Sequence, residues 1–307
     1  MAELRGKYLI VCSKNNIMTF GARVQSFFKH FFSIIGKRHL GFGKRFRLLV
    51  TFFLVYIKRL MHKRVVNFDG TYVSVVGFRV YFDDFEDFFW SFKDIFLDES
   101  YYFKYENKQP IIIDAGANIG LSVLYFKWLY PEACITAFEP HPDTYTLLEK
   151  NVQVNSFSSI ELHDIALSDR RGTITLFGKN RAATIVEGFF GLKGKWNKDL
   201  VENDLLVSTD KMSSFVDGHV DFLKLDIEGA ESLVLSEMYN SGVLTQIDRI
   251  VMEYHHRTPE VNRLSGVLKT LEDARFVMSF SSNTKKVNAM THWDFTHLMI
   301  VCIAHVK

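Results

Sequence analysis

The sequence predicts an α/β fold around a mostly parallel sheet, and two stretches carry this prediction. The first reads IIIDAGANIG at residues 111–120, followed by apolar side chains at helical spacing that end before Pro131. Its β-branched run predicts a strand buried on both faces, and its glycines predict a tight turn into a helix. The second, FLKLDIEGAE at 222–231, predicts another buried strand that ends in acids beside a glycine. Regular alternation of strands and helices from residue 110 onward is typical of a parallel sheet.

The first 64 residues differ from the rest of the chain in charge. They hold fourteen Lys and Arg and a single acid, Glu3, whereas the remaining 243 residues have a net charge of −11. Apolar runs at 27–35 and 46–57 predict either a basic, partly amphipathic segment lying on an anionic membrane or helices packed on the following domain. The glycines at 36, 41 and 43 interrupt any continuous helical stripe.

Neither apolar run has the roughly 20 residues that a membrane-spanning helix needs. We expect no signal peptide, because no small-residue cleavage site follows an early apolar core. We also expect no nucleic-acid partner, because phenylalanine dominates the segment and no basic readout helix is recognisable. Three distant cysteines, Cys12, Cys134 and Cys302, predict neither a disulfide framework nor a zinc site. They fit a reducing, cytoplasmic location, or the inner face of a membrane.

Residues 65–109 lead into the sheet domain. Residues 65–82 alternate apolar and polar side chains around two turn signals and predict a short β-meander. The acidic and aromatic residues 83–103 predict a helix or loop that caps the edge of the sheet, with an aromatic wall of the active site as the alternative. The predicted division of the chain is therefore 1–64, 65–109 and 110–307.

Within 110–307 the elements can be assigned in order. Further strands are predicted at 134–139, 159–163, 173–177, 205–208 and 247–253. Helices are predicted at 141–154, from Asp210, and at 259–274. Residues 276–278 and 298–304 predict a closing hairpin with one antiparallel strand. The glycine- and charge-rich residues 178–204 predict a lid or binding loop.

Acids follow several of these strands at the same edge of the predicted sheet. Asp114 ends the first strand, Glu139 follows Gly120 by 19 residues, and Asp226 and Glu228 follow the strand predicted at 222–225. Because ligands of open α/β sheets bind outside the carboxyl ends of the strands, these acids are expected to share one crevice. An acid at the second strand accepts hydrogen bonds from both ribose hydroxyls of an adenosine, as in NAD or S-adenosylmethionine.

Two observations bear on the choice between these cofactors and on catalysis. The turn lacks the third glycine of the dinucleotide fingerprint, because LSV stands at 121–123, so an NAD-dependent oxidoreductase is the weaker alternative. His255 extends past the strand predicted at 247–253, where an imidazole can accept a proton near neutral pH. Holding the following loop by a hydrogen bond is its structural alternative.

Taken together, these motifs resemble the FkbM family of S-adenosylmethionine-dependent methyltransferases. The matching pieces are DAGANIG at 114–120, FEP at 138–140, ALSD at 166–169, LKLDIEGAE at 223–231 and EYH at 253–255. The resemblance implies a class I methyltransferase (Rossmann-like) fold, with a seven-stranded, mostly parallel sheet and one antiparallel strand. It also implies methyl transfer from S-adenosyl-L-methionine to a hydroxyl of a small-molecule or glycan acceptor: a sugar, glycolipid or secondary metabolite.

The resemblance also implies roles for individual residues. The methionine end of the cofactor would be held by Asp114, Gly116, Asn118 and Gly120, the ribose by Glu139, and the adenine would be flanked by Asp164 and Ile165. Asp226 would lie near the amino group and the acceptor, and the candidate general bases are Asp226, Glu228 and His255. We predict no metal site, because the ligand count is thin. A cofactor-binding protein without turnover, docked at a membrane as an assembly partner, is the alternative function.

Overall fold

The computed structural model describes residues 20–62, 65–106, 108–177, 184–185, 205–256, 263–282 and 296–304. In chain order the helices of this part are α1 (Phe20–Gly36), α2 (Phe42–Met61), α3 (Phe85–Phe92), α4 (Leu121–Leu129), α5 (Pro142–Val154), α6 (Glu231–Ser241) and α7 (Arg263–Asp273). The strands are β1 (Tyr72–Val75), β2 (Phe78–Tyr81), β3 (Ile111–Ala115), β4 (Cys134–Phe138), β5 (Ile160–His163), β6 (Ala166–Ser168), β7 (Gly172–Phe177), β8 (Thr184–Ile185), β9 (Leu205–Lys211), β10 (Phe222–Leu225), β11 (Arg249–His256), β12 (Phe276–Ser282) and β13 (Thr296–Ala304).

The main sheet has seven strands in the order β12-β13-β11-β10-β3-β4-β5. The strands from β11 to β5 run parallel, whereas β13 is antiparallel to both of its neighbours. This confirms the predicted class I sheet with one antiparallel strand. The chain proceeds outward from β3 to β5 and later crosses back to β10 and β11, so its direction across the sheet reverses between β3 and β10. Open α/β sheets bind their ligands at such a switch point.

A separate four-stranded sheet, ordered β6-β9-β7-β8, follows β5. Its strand β9 continues to Lys211 and leads into a short 3₁₀ turn, Met212–Ser214, so the prediction of a helix from Asp210 is wrong. Asp210 stays extended because it pairs with Leu167 of β6, while its carboxylate accepts two hydrogen bonds from Arg171, at 2.7 and 2.9 Å. Except for β8, the predicted lid at 178–204 lies outside the described residues.

Residues 65–82 contain one two-stranded hairpin, β1–β2, where we predicted a short meander. After it, α3 continues into the π-helical turn Lys93–Leu97, and Phe85, Phe88, Phe89 and Phe92 are buried. The predicted helix is therefore present, and it shares a hydrophobic core with α4 and one face of the main sheet, whereas the cap was predicted at the edge of the sheet.

The basic helices α1 and α2 pack on this same core through one face each. Leu48, Thr51, Phe52 and Val55 of α2 are buried against it. The glycines at 36 and 41 lie at the ends of the connection between the helices, so each helix keeps its own apolar stripe. The predicted interruption of the stripe therefore falls at Gly36 and Gly41, where one helix ends and the next begins, whereas Gly43 lies inside α2. None of the helices within the described residues is long and apolar enough to cross a membrane.

Candidate active site

The turn from β3 into α4 has an unusual backbone. Gly116, Asn118 and Gly120 all have positive φ, at 85°, 51° and 90°. A Cβ on Gly116 would overlap the carbonyl of Asp226, and one on Gly120 would lie 2.8 Å from Leu148 Cδ1. The glycines thus form the predicted tight turn and allow it to pack against neighbouring parts of this chain.

Glu139 follows β4 and faces this turn. One carboxylate oxygen accepts a hydrogen bond from the Asn118 N–H at 3.0 Å, and the other accepts one from the His141 N–H at 2.9 Å. Burial raises the pKa of Glu139 to about 7, although these N–H groups and the charge of Lys224 act in the opposite direction. Because an ionised carboxylate has about four acceptor positions, each oxygen retains acceptor capacity for a ligand hydroxyl.

At the switch point, Lys224 forms the centre of a buried charge cluster. Its ammonium lies 3.3 Å from Asp114 Oδ1 and 3.4 Å from Asp226 Oδ2, and it donates to the carbonyl of Gly116 at 2.7 Å. Burial alone lowers the pKa of Lys224, but the two carboxylates outweigh it and hold that pKa above its usual value. The sequence analysis missed this residue, although a lysine two positions before Asp226 in a buried strand was the available signal.

Tyr101 reaches the same cluster from the segment after α3. Its hydroxyl donates to Asp226 Oδ2 at 3.1 Å, and its ring centroid lies 5.1 Å from the Lys224 ammonium. Burial, followed by the charges of Asp226 and Glu253, raises the pKa of Tyr101 well above its usual value, so the phenol stays protonated. Tyr101 therefore contributes one aromatic side chain to the candidate site, as the alternative of an aromatic wall predicted.

A further acid, Asp94, lies in the π-helical turn and faces the charge of Glu253. Burial raises the pKa of Asp94, and the Ser100 hydroxyl donates to it at 2.7 Å. π-Helical turns are frequent at functional sites. Asp94 and Glu253 thus add negative charge on the Tyr101 side of the crevice.

The predicted adenine residues, Asp164 and Ile165, follow β5 directly beside Glu139. The Glu139 N–H donates to the carbonyl of His163 at 3.0 Å, which joins the two strand ends. An aromatic group lies at the same end, with Phe138 stacked on His163 at 4.9 Å between centroids and Phe215 in contact with both.

The structure gives less detail for the other two candidate bases. Glu228 is half-buried, two residues after Asp226, and has a strained φ of 55°. Such strain in a residue other than glycine is concentrated at functional sites. His255 belongs to β11 by its backbone, but its side chain lies outside the part of the chain that the structure describes.

This arrangement fits a cationic, adenosine-containing ligand. Asp114 is fully buried, and among the described residues no donor is hydrogen-bonded to its Oδ2, which leaves an acceptor for an ammonium group. With Lys224 as the single positive charge between Asp114 and Asp226, the cluster has a net negative charge. Along the sheet, Glu139 lies on one side of Asp114 and Asp226 on the other, at the ends of adjacent parallel strands.

Comparison with known proteins agrees with this geometry. Residues 114–282 match the model of the methyltransferase FkbM domain, which is more than half of the chain. The chain belongs to the FkbM methyltransferase family. The matched segment of this FkbM-family chain contains all the predicted site residues, from Asp114 to His255.

Two relatives and one solved structure illustrate the similarity. Methyltransferase sdnD of Sordaria araneosa is 33% identical, over 47% of this chain and 66% of that protein. The 2-O-methyltransferase NoeI of Sinorhizobium fredii is 26% identical, over 48% of this chain and 65% of that protein. The crystal structure of methyltransferase FkbM from Methylobacillus flagellatus KT has a TM-score of 0.42 and 17% identity, over 64% of this chain and 44% of that one. The alignments thus span less than two thirds of each of these proteins.

Proposed function

We propose that this chain is an S-adenosylmethionine-dependent O-methyltransferase that acts on a hydroxyl of a sugar, glycolipid or secondary metabolite. The observation that carries the proposal is the Asp114–Lys224–Asp226 charge cluster. Oδ2 of Asp114 has no hydrogen-bond donor among the described residues, and Glu139 lies at the end of the strand next to that of Asp114. Family membership supports methyl transfer, and the relative named a 2-O-methyltransferase favours oxygen as the acceptor atom.

Different residues along the sheet would bind different parts of the cofactor. Asp114 would accept from the amino group of the cofactor, Glu139 would accept from the two ribose hydroxyls, and Asp164 and Ile165 would flank the adenine. When bound, S-adenosylmethionine supplies a methyl group already activated by its sulfonium. The net negative charge of the cluster favours such a cation over its neutral product.

The chain's own part in the reaction is to orient the acceptor and take its proton. A hydroxyl is a weak nucleophile, so a base within hydrogen-bond reach increases the rate. Tyr101 and Lys224 both contact Oδ2 of Asp226, and these contacts fix the orientation of the carboxylate. Oδ1 takes no part in them, so it is the oxygen that would accept the proton. Asp226 is therefore our first choice as the base, with Glu228 and His255 as the other two.

Calorimetry with S-adenosylhomocysteine tests the cofactor assignment. We expect the wild type to bind, Glu139→Ala to lose binding, and Glu149→Ala, an exposed acid on the adjacent α5, to bind normally. Absence of binding to the wild type would contradict the proposal.

Turnover is tested separately with cofactor that carries a labelled methyl group. The purified protein is incubated with extracts of glycans, lipids and small metabolites, and mass spectrometry follows the labelled products. Asp226→Asn, Glu228→Gln and His255→Ala are assayed one by one. If the protein binds the cofactor but labels nothing, the alternative of a cofactor-binding protein without turnover is favoured. If label is transferred and none of the three variants slows it, the assignment of the base is wrong.

A further inference from the structure

The outer sides of α1 and α2 form one exposed apolar surface, which lies apart from the candidate active site. On α2 the exposed apolar residues are spaced mainly three or four apart and so form a stripe along the helix: Phe42, Phe46, Val50, Phe53, Leu54, Ile57 and Leu60. On α1 they are Phe28, Phe32 and Ile35. The ring of Phe53 lies 5.6 Å from Phe27 and 6.0 Å from Phe31, which joins the two stripes. We call these ten exposed residues the hairpin face.

The hairpin face is large for the surface of a single chain. From Phe42 to Leu60 it extends about 27 Å, at the 1.5 Å rise per residue of a helix. Phe42 is 79% exposed and Phe32 is 63% exposed. Because the opposite side of α2 is buried in the core, the helix is held in place while these rings face outward. A contiguous apolar surface of this kind marks an interaction site.

Positive charge surrounds the hairpin face. Residues 20–62 contain nine Lys and Arg and no Asp or Glu. Arg47 and Lys58 lie three and four residues from Val50 and Leu54, at one edge of the stripe. Basic residues around exposed phenylalanines complement the headgroups of anionic lipids. A second copy of the chain would instead bring like charges together, which opposes self-association through this face.

A cleft of about 310 Å³ opens beside the amino-terminal half of α2. Its walls include Lys44, Arg47, Lys127, Phe78 and Trp128. Lys44 donates to the carbonyl of residue 129 at 2.9 Å and lies 5.8 Å from the centroid of the Trp128 ring, so its position is fixed. Arg47 belongs to both the cleft and the edge of the hairpin face. The Lys127 ammonium is taken up by backbone carbonyls, so Lys44 and Arg47 are the cations at this recess, whose wall is otherwise mostly apolar.

We propose that the hairpin face docks on the surface of an anionic phospholipid bilayer, with its rings in the interface and Arg47 and Lys58 at the level of the headgroup phosphates. The helices would lie on the membrane, as amphipathic basic helices do. An ion pair ties the connection between α1 and α2 to the segment that carries Tyr101, because Lys37 lies 2.7 Å from Glu99, two residues before Tyr101.

Flotation of the full chain with vesicles tests this proposal. We expect binding to vesicles that contain phosphatidylglycerol, loss of binding at high salt, and no binding to pure phosphatidylcholine. The variant Phe42→Ser/Phe46→Ser/Leu54→Ser should reduce the bound fraction roughly tenfold, because it removes two aromatic rings and one aliphatic side chain from the interface. Tyr239→Ser on α6, where the side chain is 44% exposed, is the matched control and should bind like the wild type. Thermal unfolding of each variant verifies that it is folded.

A charge variant separates this proposal from its competitors. Arg47→Gln/Lys58→Gln should weaken binding to phosphatidylglycerol while leaving the hairpin face intact. Failure of the wild type to float with anionic vesicles at low salt would overturn the proposal, as would equal binding to neutral vesicles. Sedimentation that shows a dimer which the triple serine variant dissociates, without vesicle binding, would overturn it in favour of a second copy of the chain.

Discussion

The carbonyl oxygen of Asp226 lies 1.8 Å from the position that a Cβ atom on Gly116 would occupy. Two loops that follow adjacent strands, β3 and β10, therefore pack together with no room for a side chain between them. The Asp226 N–H also donates to the Ala115 carbonyl at 3.1 Å. The base of the crevice is thus a contact between backbones.

Gly116→Ala should separate these loops. We expect it to lower the free energy of unfolding by about 4 kcal/mol, because a backbone clash adds to the strain of a positive φ. Urea denaturation measures the change. Gly70→Ala is the matched control, since Gly70 also has a positive φ, of 71°, but no atoms near its Cβ position, and should cost about 1 kcal/mol. Equal losses in the two variants would show that the contact with Asp226 is unimportant.

Lys224→Met should leave the buried carboxylate of Asp114 and the half-buried carboxylate of Asp226 without their cation. We expect a loss of about 3–5 kcal/mol in the free energy of unfolding, as for other buried ion pairs broken on one side. Adding Asp114→Asn to this variant should recover part of the loss, because one of the two stranded charges is removed. Lys104→Met is the control, because the Lys104 side chain is 79% exposed, and it should change the free energy of unfolding by less than about 0.5 kcal/mol. A Lys224→Met protein as stable as the wild type would contradict the role given to the cluster.

Binding of S-adenosylhomocysteine should depend on pH through Glu139. Only the ionised carboxylate accepts from both ribose hydroxyls, so affinity should rise as pH passes through the raised pKa of about 7 and level off above it. Between pH 8 and pH 6 the dissociation constant should increase about tenfold, because the ionised fraction falls by that factor. Calorimetry of the wild type and of Glu139→Gln, which cannot titrate at this position, measures the effect. A flat profile for the wild type would contradict the assignment of the ribose to Glu139.

Tyr101→Phe should separate catalysis from cofactor binding. The ring remains in place, but the Asp226 carboxylate loses the hydrogen bond that orients it. We expect kcat to fall about tenfold, since a hydrogen bond to a charged group contributes about 1.5 kcal/mol, while the affinity for S-adenosylhomocysteine is unchanged. Tyr72→Phe, at an exposed position of strand β1, serves as the control. Weaker cofactor binding with unchanged kcat would place Tyr101 on the cofactor side.

Asn151 of α5 connects the β1–β2 hairpin to the glycine turn. Its amide exchanges two hydrogen bonds with the backbone of Tyr81, at 2.7 and 2.9 Å, and donates to the Ile119 carbonyl at 2.8 Å. Asn151→Leu should cost about 3 kcal/mol, because it leaves polar backbone groups without partners. Asn155→Leu, whose bonds to Arg79 are exposed to water, should cost about 1 kcal/mol in the same denaturation experiment.

Much of the central domain was predictable because its signals are local. The strand at β10 and the helix at α4 were predicted with the bounds that the structure has, since a short apolar run before acids and a glycine, and a 3.6-residue apolar period, are properties of neighbouring residues. The acids that end parallel strands were likewise predictable as neighbours, because the carboxyl ends of such strands meet at one edge. The prediction of a helix from Asp210 failed because sheet pairing and Arg171 outweighed local sequence preference.

The sequence by itself determined the strands of the main sheet, the family, and the carboxylates of the candidate site. Only the tertiary structure showed that Tyr101 donates to Asp226 across 125 residues, and that Lys224 holds Asp114 and Asp226 together. It also decided which sides of α1 and α2 remain exposed. The reason is physical: periodicity and turn preference arise between neighbours along the chain, whereas the partners of a buried charge and the free face of a helix are settled when distant segments pack.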